Sequence, residues 1–220
     1  MSIAENYGGY YRNLQELRRS KGKSENNLFK ALGFDYYYVE DGHNVEAMVN
    51  IFRQVKDSHY PVVIHVHTIK GKGYHYAEKN KEKFHAGGPF DIETGEYLSN
   101  ETKENYNDLT GKYLLKKMKD DSRVVAITSA TPVAIGMNEN NRKIAGQQFV
   151  DVGIAEEHAV AFASGIAKNG GKPVYGVFST FIQRTYDQIS QDLCINNNPA
   201  VLLVFWGSVF GMNDETHIGF

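Results

Sequence analysis

A short β-branched run that stops at an acidic pair is the feature that most constrains this fold. Residues 149–154 read Phe-Val-Asp-Val-Gly-Ile, and Glu156 and Glu157 follow one residue later. Small and apolar residues then recur on one face at helical spacing: Ala155, Ala159, Phe162, Ala163 and Ile166. The pattern predicts a strand, a tight junction and a helix that opens with a carboxylate. Neither neighbouring element supplies a nearby Lys or Arg, so we expect a carboxylate without a cationic partner, predisposed to exchange protons.

The alternative is that Glu156 and Glu157 are ordinary first-turn acids, which the helix dipole favours. Composition leaves both interpretations open but excludes several classes of function. The 220 residues are 41% hydrophobic and 23% charged, so they form one large or two small domains with a core. A net charge of −2 gives no general attraction to nucleic acid or acidic membranes, and no apolar run approaches transmembrane length.

Cysteine and histidine usage points away from disulfides and metal clusters. The single cysteine, Cys194, cannot form an internal disulfide, and its place on an apolar helical face predicts a buried thiol in a reducing cytosol. The eight histidines show no metal-ligand spacing. His65 and His67 share one face of a predicted strand, where we expect partly buried strand residues.

Strands and helices alternate along the chain. A strand at 36–39, an amphipathic helix at 44–57 capped by Asn44, and a strand from Val62 to Thr68 predict a parallel pair. Residues 79–105 are polar and predict a linker or an extended surface segment. A second series follows, with a helix at about 106–118, strands at 124–128, 149–154, 174–178 and 201–205, and helices from Glu156 and across 182–193.

Seven stretches in this order resemble the 1-deoxy-D-xylulose-5-phosphate synthase family of transketolase-like thiamine-diphosphate enzymes. They are Asp-Gly-His at 41–43, Lys-Gly-Lys-Gly-Tyr at 70–74 with Ala-Glu at 77–78, Lys-Phe-His at 83–85, Pro-Phe-Asp at 89–91 with Thr-Gly-Glu at 94–96, the octet at 151–158, 179–188, and Thr-His-Ile-Gly at 216–219. Many motifs in order are far more specific than one, so the resemblance favours a functional Glu156.

The resemblance implies an α/β thiamine-diphosphate-binding fold, with parallel sheets flanked by helices and parts of two such domains. Residues 1–98 would be the C-terminal part of the diphosphate-binding domain, 99–105 a linker, and 106–220 an incomplete pyrimidine-binding domain. The implied reaction decarboxylates pyruvate and joins it to glyceraldehyde 3-phosphate, for isoprenoid precursors and thiamine. The implied setting is a cytoplasmic homodimer that uses thiamine diphosphate and Mg2+ on small-molecule substrates.

The resemblance also assigns the cofactor contacts. Glu156 matches the carboxylate that hydrogen-bonds the aminopyrimidine ring and promotes its proton-accepting imino tautomer. Phe181 matches the aromatic residue that stacks on this ring, although core packing alone would also explain it. Tyr74 matches a further cofactor contact, or else it is a surface tyrosine. The backbone carbonyl of Met1 would approach the magnesium ion, whose Gly-Asp-Gly motif lies upstream in the family.

Three further side chains match residues that face the substrates. His85 and His217 match active-site histidines that relay protons or hold the acceptor, and Arg184 matches a residue that faces the substrate. Without the resemblance, each histidine would be read as structural or exposed, and Arg184 as a solvated helix charge. The family members are much longer, so we expect a fragment with its main anionic metal ligand and last domain outside this sequence.

The chain departs from the family pattern near its acceptor site. Trp206 stands where members carry an Arg that binds the acceptor phosphate, and Asn213 stands where they carry an Asp. Glu157 replaces a Gln, and the segment between Arg19 and Leu28 is shortened. These departures motivate two alternatives: a related transketolase or acyloin synthase with another acceptor, and a non-catalytic or split-enzyme subunit.

Overall fold

Two parallel sheets, each in a separate unit of the chain, carry the architecture. The computed structural model describes residues 8–85, 87–98 and 105–206, which divide into one compact unit of residues 8–98 and another of residues 105–206. The α/β fold class with helix-flanked parallel sheets is confirmed. Within these ranges, no helix has both the length and the apolar character needed to cross a membrane.

The first unit is built on a two-stranded parallel sheet. Its elements are α1 (Gly9–Arg19), α2 (Leu28–Ala31), β1 (Asp35–Val39), α3 (Val45–Val55), β2 (Val62–Val66) and α4 (His75–Lys79). The strands pair from Asp35 opposite Val62 to Val39 opposite Val66, so the predicted strand–helix–strand unit is confirmed, but β2 ends at Val66 rather than at Thr68. Asn44 caps α3 as predicted, because its side chain accepts a hydrogen bond from the backbone N–H of Ala47 at 3.0 Å.

A hydrogen bond joins the two strands through their side chains. The hydroxyl of Tyr36 shares a hydrogen bond of 2.7 Å with Nδ1 of His65, and the two strands are adjacent in register. Burial raises the pKa of Tyr36 to about 12 and lowers the pKa of His65, so both groups stay neutral near pH 7. His65 is the partly buried strand histidine that the sequence predicts, whereas His67 lies just past the strand and is exposed.

The polar stretch after α4 folds back on itself. The rings of Tyr74, Phe84 and Phe90 pack together with centroids 5.1–5.5 Å apart. Phe90 pairs with Tyr97 in an isolated antiparallel bridge, and the Tyr97 hydroxyl donates to the carbonyl of Lys83. Residues 80–85 and 87–98 are mostly exposed, as predicted, but they pack locally around aromatic rings rather than run as an extended linker.

The second unit is a four-stranded, fully parallel sheet in the order β4-β3-β5-β6. Its elements are α5 (Tyr106–Asp120), β3 (Val124–Thr128), a 3₁₀ turn (Pro132–Ile135), α6 (Glu139–Ala145), a 3₁₀ turn (Gly146–Gln148), β4 (Phe149–Asp151), α7 (Glu156–Lys168), β5 (Lys172–Phe178), α8 (Ser179–Ile182), a 3₁₀ turn (Gln183–Thr185), α9 (Tyr186–Gln188), a π-helix (Ile189–Ile195) and β6 (Val201–Phe205). Strand side chains alternate between the two faces, so each face carries its own core.

The two cores put different helices on opposite faces of the sheet. One face packs under α5, α6 and the first 3₁₀ turn: Leu114, Met118, Val124, Ala126, Ile135, Met137 and Ala145. The other packs under α7 and the π-helix: Ile127, Ala159, Val160, Ala163, Tyr175, Val177 and Leu193. A Cβ on Gly176 would come within 1.8 Å of Cγ2 of Ile135, so this strand position has room only for glycine.

Three local predictions are corrected by the structure. β4 ends at Asp151 rather than Ile154, because Gly153 turns the chain with a φ of 77°. The single helix predicted across 182–193 is a series of short α, 3₁₀ and π segments, and Oγ1 of Thr185 donates to the Ile182 carbonyl at 2.7 Å within it. Cys194 is exposed rather than buried, because π-helical bonding changes which residues share a face.

Asn27 gives a test of local helix capping. Its Oδ1 accepts from the N–H groups of Phe29 and Lys30 at 3.0 and 3.2 Å, whereas its Nδ2 is buried without a partner among the described residues. Asn27→Thr keeps a capping oxygen and removes the orphan donor. We expect it to raise the free energy of unfolding by about 1 kcal/mol, measured by chemical denaturation with circular dichroism.

Asn44→Thr is the matched control for this prediction, because Asn44 also caps a helix but is exposed, so water satisfies its amide. We expect no stabilisation from that control. Asn27→Ala should lower the free energy of unfolding by about 1 kcal/mol, since it removes the capping oxygen. Equal effects of the two threonine variants would contradict the role of the orphan donor.

Asp121 gives a pH-dependent test. Its carboxylate accepts from Nε and Nη2 of Arg123, both at 2.9 Å, and from Nζ of Lys172 at 2.7 Å. These donors hold the pKa of Asp121 well below its usual range. A lowered pKa in the folded state stabilises the protein above the ordinary aspartate pKa of about 3.9, and this stabilisation is lost as the pH falls.

We therefore expect the stability difference between the wild type and Asp121→Asn to be constant above about pH 5 and to shrink below about pH 4. Urea unfolding followed by fluorescence of the single tryptophan, Trp206, measures this difference in the unit that contains Asp121. Glu139→Gln is the control, because its ion pair with Lys143 is exposed on both sides and should contribute little at any pH. A pH-independent effect of Asp121→Asn would contradict the assignment.

Candidate functional site

The carboxyl edge of the four-stranded sheet holds a buried carboxylate. Glu156 is the first residue of α7, and its whole residue is only 2% exposed. The turn at Gly153 and the extended φ of −152° at Ala155 bring the chain from the end of β4 into this position. The positive end of the helix dipole favours a negative charge there. Ligands of open parallel sheets bind at this edge, so the position suits a functional acid.

Asp151 shapes the edge beside Glu156. Its Oδ1 accepts from the backbone N–H groups of Ala130 and Gly153, both at 2.9 Å. Ala130 has a φ of 62°, which is unusual for a residue with a Cβ, and the bond from Asp151 fixes this loop after β3. The side chain thus ties together the ends of two neighbouring strands. The Asp-x-Gly spacing could have predicted this turn in place of a strand that continues to Ile154.

The expectation that Glu156 has no cationic partner is wrong. Nη1 of Arg184 donates to Oε2 of Glu156 at 3.0 Å. Arg184 follows β5 and is 28 residues away in sequence, so inspection of the elements next to Glu156 could not find it. The carboxylate side chain is 3% exposed and the arginine side chain is 47% exposed, so only one partner of this pair is in contact with water.

Aromatic side chains continue the site along the same edge. The guanidinium carbon of Arg184 lies over the ring of Phe181, 5.2 Å from its centroid. Phe178 packs against Phe181 with a centroid separation of 6.2 Å, and it stacks on Trp206 at 4.0 Å with planes 15° apart. The hydroxyl of Ser179 donates to the carbonyl of Trp206 at 3.1 Å. Glu156, Arg184 and Phe181 therefore form one contiguous group.

Tyr175 is a buried polar residue that the sequence pattern did not reveal. Its ring is fully buried in β5, and its hydroxyl shares a hydrogen bond of 2.9 Å with Oγ of Ser129. Burial raises the pKa of Tyr175 above its usual range, and the negative charges of Glu156 and Glu157 add to this effect. Tyr175 therefore remains protonated beside the acidic pair. Because Tyr175 lies in an apolar strand, the sequence pattern predicts an ordinary core residue there. No sequence signal could have identified its hydroxyl as part of the site.

The first unit holds the other predicted residues that the structure describes. The hydroxyl of Tyr74 donates to the Ile92 carbonyl at 3.0 Å, and its ring is half-buried among aromatic residues. His85 is exposed, and its Nδ1 is in contact with Nζ of Lys70. Three residues of the sequence analysis, Met1, His217 and Asn213, lie outside the described residues.

Family models match both parts of the sequence. Residues 103–219 match the model described as transketolase, pyrimidine binding domain, which covers more than half of the chain. Residues 1–68 match the model described as 1-deoxy-D-xylulose-5-phosphate synthase. The first match contains Glu156, Phe181 and Arg184, so the contiguous group lies within the segment that the pyrimidine-binding model covers.

Curated relatives agree with these matches. The chain is 46% identical over 192 residues to a 1-deoxy-D-xylulose-5-phosphate synthase of Caldanaerobacter subterraneus subsp. tengcongensis, covering 87% of the chain and 30% of the relative. The synthase of Alkaliphilus oremlandii is 44% identical, with 87% and 31% covered, and that of Symbiobacterium thermophilum 45% identical, with 88% and 29% covered. The chain thus spans about 30% of the length of these relatives. It belongs to the family described as transketolase, pyrimidine binding domain, and it is similar to 1-deoxy-D-xylulose-5-phosphate synthases over 87% of its length.

Proposed function

We propose that this chain supplies the pyrimidine-binding part of a thiamine-diphosphate-dependent 1-deoxy-D-xylulose-5-phosphate synthase. The observation that carries the proposal is the buried carboxylate of Glu156, which Arg184 links to the half-buried ring of Phe181. The family implies thiamine diphosphate as the cofactor. In the proposed domain division, residues 1–98 belong to the diphosphate-binding domain, 99–105 form a linker, and 106–220 belong to the pyrimidine-binding domain.

The residues present fit an aminopyrimidine. A ring of this kind needs a flat apolar surface for its face and a hydrogen-bond acceptor for its edge, and Phe181 and Glu156 supply these. When bound, the cofactor supplies a carbon nucleophile that carries the acyl group between substrates. Glu156 would hold a proton at the ring edge, and its burial would keep water away from that hydrogen bond. Tyr74 is proposed as a second cofactor contact.

The proposed reaction decarboxylates pyruvate and joins the remaining two-carbon unit to glyceraldehyde 3-phosphate. In this proposal Arg184 faces the substrates, because its side chain is 47% exposed and its guanidinium can bind a carboxylate. His85 and His217 are proposed to relay protons or hold the acceptor. The proposal also includes the setting that the family resemblance implies, a homodimer in the cytoplasm.

Magnesium enters the proposal through the resemblance alone. The described ranges contain no group of three or more His, Cys, Asp or Glu side chains that could hold a metal ion. The backbone carbonyl of Met1, proposed to approach the ion, lies outside those ranges. We therefore assign no catalytic step of this chain to the metal.

Calorimetric titration with thiamine diphosphate and Mg2+ tests the cofactor site. We expect the wild-type chain to bind, and Glu156→Gln to weaken binding about tenfold, because a charge-assisted hydrogen bond contributes about 1.5–3 kcal/mol. Glu157→Gln is the matched control, since Glu157 is the neighbouring residue but is exposed. Equal weakening by both variants, or unchanged binding by Glu156→Gln, would contradict the proposal.

Trp206 favours a second candidate, a related transketolase or acyloin synthase with an acceptor that lacks a phosphate. The indole stacks on Phe178 at the carboxyl end of β6, so it adds uncharged aromatic surface at this edge. An indole has one N–H donor and no positive charge, so it cannot form the bidentate ion pair that an arginine forms with a phosphate. A non-catalytic or split-enzyme subunit remains the third candidate, and cofactor binding by the chain argues against the non-catalytic form.

Acceptor binding separates the first two candidates. If the acceptor lacks a phosphate, the wild-type chain should bind D-glyceraldehyde at least as tightly as glyceraldehyde 3-phosphate in calorimetry. Trp206→Arg should then strengthen binding of the phosphorylated aldehyde by about tenfold, since it adds a cationic donor, whereas Trp206→Leu should not. Tighter binding of the phosphorylated aldehyde by the wild type would favour the synthase.

A further inference from the structure

The guanidinium of Arg184 contacts an acid and an aromatic face at the same time. Its Nη1 donates to the Glu156 carboxylate at 3.0 Å, and its carbon lies 5.2 Å from the centroid of Phe181. A guanidinium is flat, carries N–H donors at its edge and stacks through its face. One planar group thus donates a hydrogen bond to the buried carboxylate and lies over the aromatic ring.

These are the two groups that the proposed function assigns to the aminopyrimidine, and the inference rests on that function. A ring that stacks on Phe181 and donates to Glu156 needs the positions that the guanidinium occupies. We propose that Arg184 is an internal substitute for the aminopyrimidine. It neutralises Glu156 and covers Phe181 while the pyrimidine site is empty, and it leaves both when the ring binds.

Unequal exposure decides which partner moves. The Glu156 side chain is 3% exposed, and a buried charge without a partner is strongly destabilising, so this carboxylate needs one donor at all times. The Arg184 side chain is 47% exposed and can exchange its carboxylate partner for water. The next residue, Thr185, is fully buried and bonded to the Ile182 carbonyl, which anchors the backbone at Arg184. The exchange is therefore a movement of the arginine side chain alone.

Competition between Arg184 and the pyrimidine has a definite thermodynamic sign. A group that must leave before a ligand binds stabilises the free protein and weakens binding of the ligand. Removal of Arg184 should therefore destabilise the free chain and strengthen pyrimidine binding. An arginine that only supports the fold, or one that contacts the bound ring, would weaken binding when removed. The opposite sign distinguishes displacement from both of these roles.

Thiamine is the probe, because it carries the aminopyrimidine but no diphosphate. Binding is measured by calorimetry and by the fluorescence of Trp206, which stacks beside Phe181 through Phe178. We expect Arg184→Met to bind thiamine about 5–10-fold more tightly than the wild type, within the usual range of coupling between two sites. Arg184→Lys keeps the positive charge but lacks the planar guanidinium. Its affinity for thiamine should lie between those of the wild type and Arg184→Met.

A double-mutant cycle with Glu156→Gln tests the pair without any ligand. In the free chain, Arg184→Met should shift the urea midpoint downwards when Glu156 is present and have little effect in the Glu156→Gln background. Absence of this coupling would overturn the counter-ion role. If Arg184→Met fails to fold, Arg184→Lys must still bind thiamine more tightly than the wild type. It must also lower the urea midpoint when Glu156 is present.

The outcomes separate this inference from the proposed function. Weaker or unchanged thiamine binding in Arg184→Met, from variants that fold, would overturn displacement and leave the cofactor site intact. If neither thiamine nor thiamine diphosphate binds any folded variant, the proposed cofactor site is contradicted. The proposed displacement of Arg184 is then contradicted as well. Coupling in the unfolding cycle would then identify Arg184 as a permanent counter-ion of Glu156.

Discussion

A buried negative charge at the end of a parallel sheet is the constraint on which this site depends. Glu156 is almost completely removed from water, and such a charge persists only with a helix dipole, a donor or a cation to stabilise it. α7 begins at this residue, Asp151 fixes the turn that leads to it, and Arg184 reaches it from beyond β5. Three separate elements of the second unit therefore converge on one carboxylate.

The sheet supplies rigidity where the site needs it. Cores on both faces hold the four strands, and Gly176 lets Ile135 pack directly against the backbone of β5. Because interiors of this kind are close-packed, the positions of Glu156 and Phe181 are fixed by the fold. Arg184 is different, since its side chain extends from a 3₁₀ turn into water. The site thus combines two side chains whose positions the fold fixes with one cation whose side chain is partly in water.

The sequence predicted what local patterns determine. β3 and β6 have the predicted bounds, and α3 begins at its predicted cap, because apolar runs and capping residues act over a few neighbouring positions. The predictions for the end of β4 and for a single helix after β5 were wrong. Hydrogen bonds between side chain and backbone, at Asp151 and at Thr185, shape these two segments. The family resemblance indicated Arg184 but not its contact with Glu156. This contact joins a residue that precedes β5 in the sequence to one that follows it.

The contact between Arg184 and Glu156 can be reconciled with a role for Arg184 in substrate binding. While the guanidinium neutralises Glu156, its charge is engaged at the site and attracts a second anion only weakly. Once an aromatic base takes over the carboxylate, the same guanidinium becomes a cation without a fixed partner at the carboxyl edge. A substrate carboxylate, such as that of pyruvate, could then form the charge-assisted hydrogen bonds that Glu156 has released. On this proposal one arginine serves first the empty site and then the substrate, which favours binding of the ring before the acid.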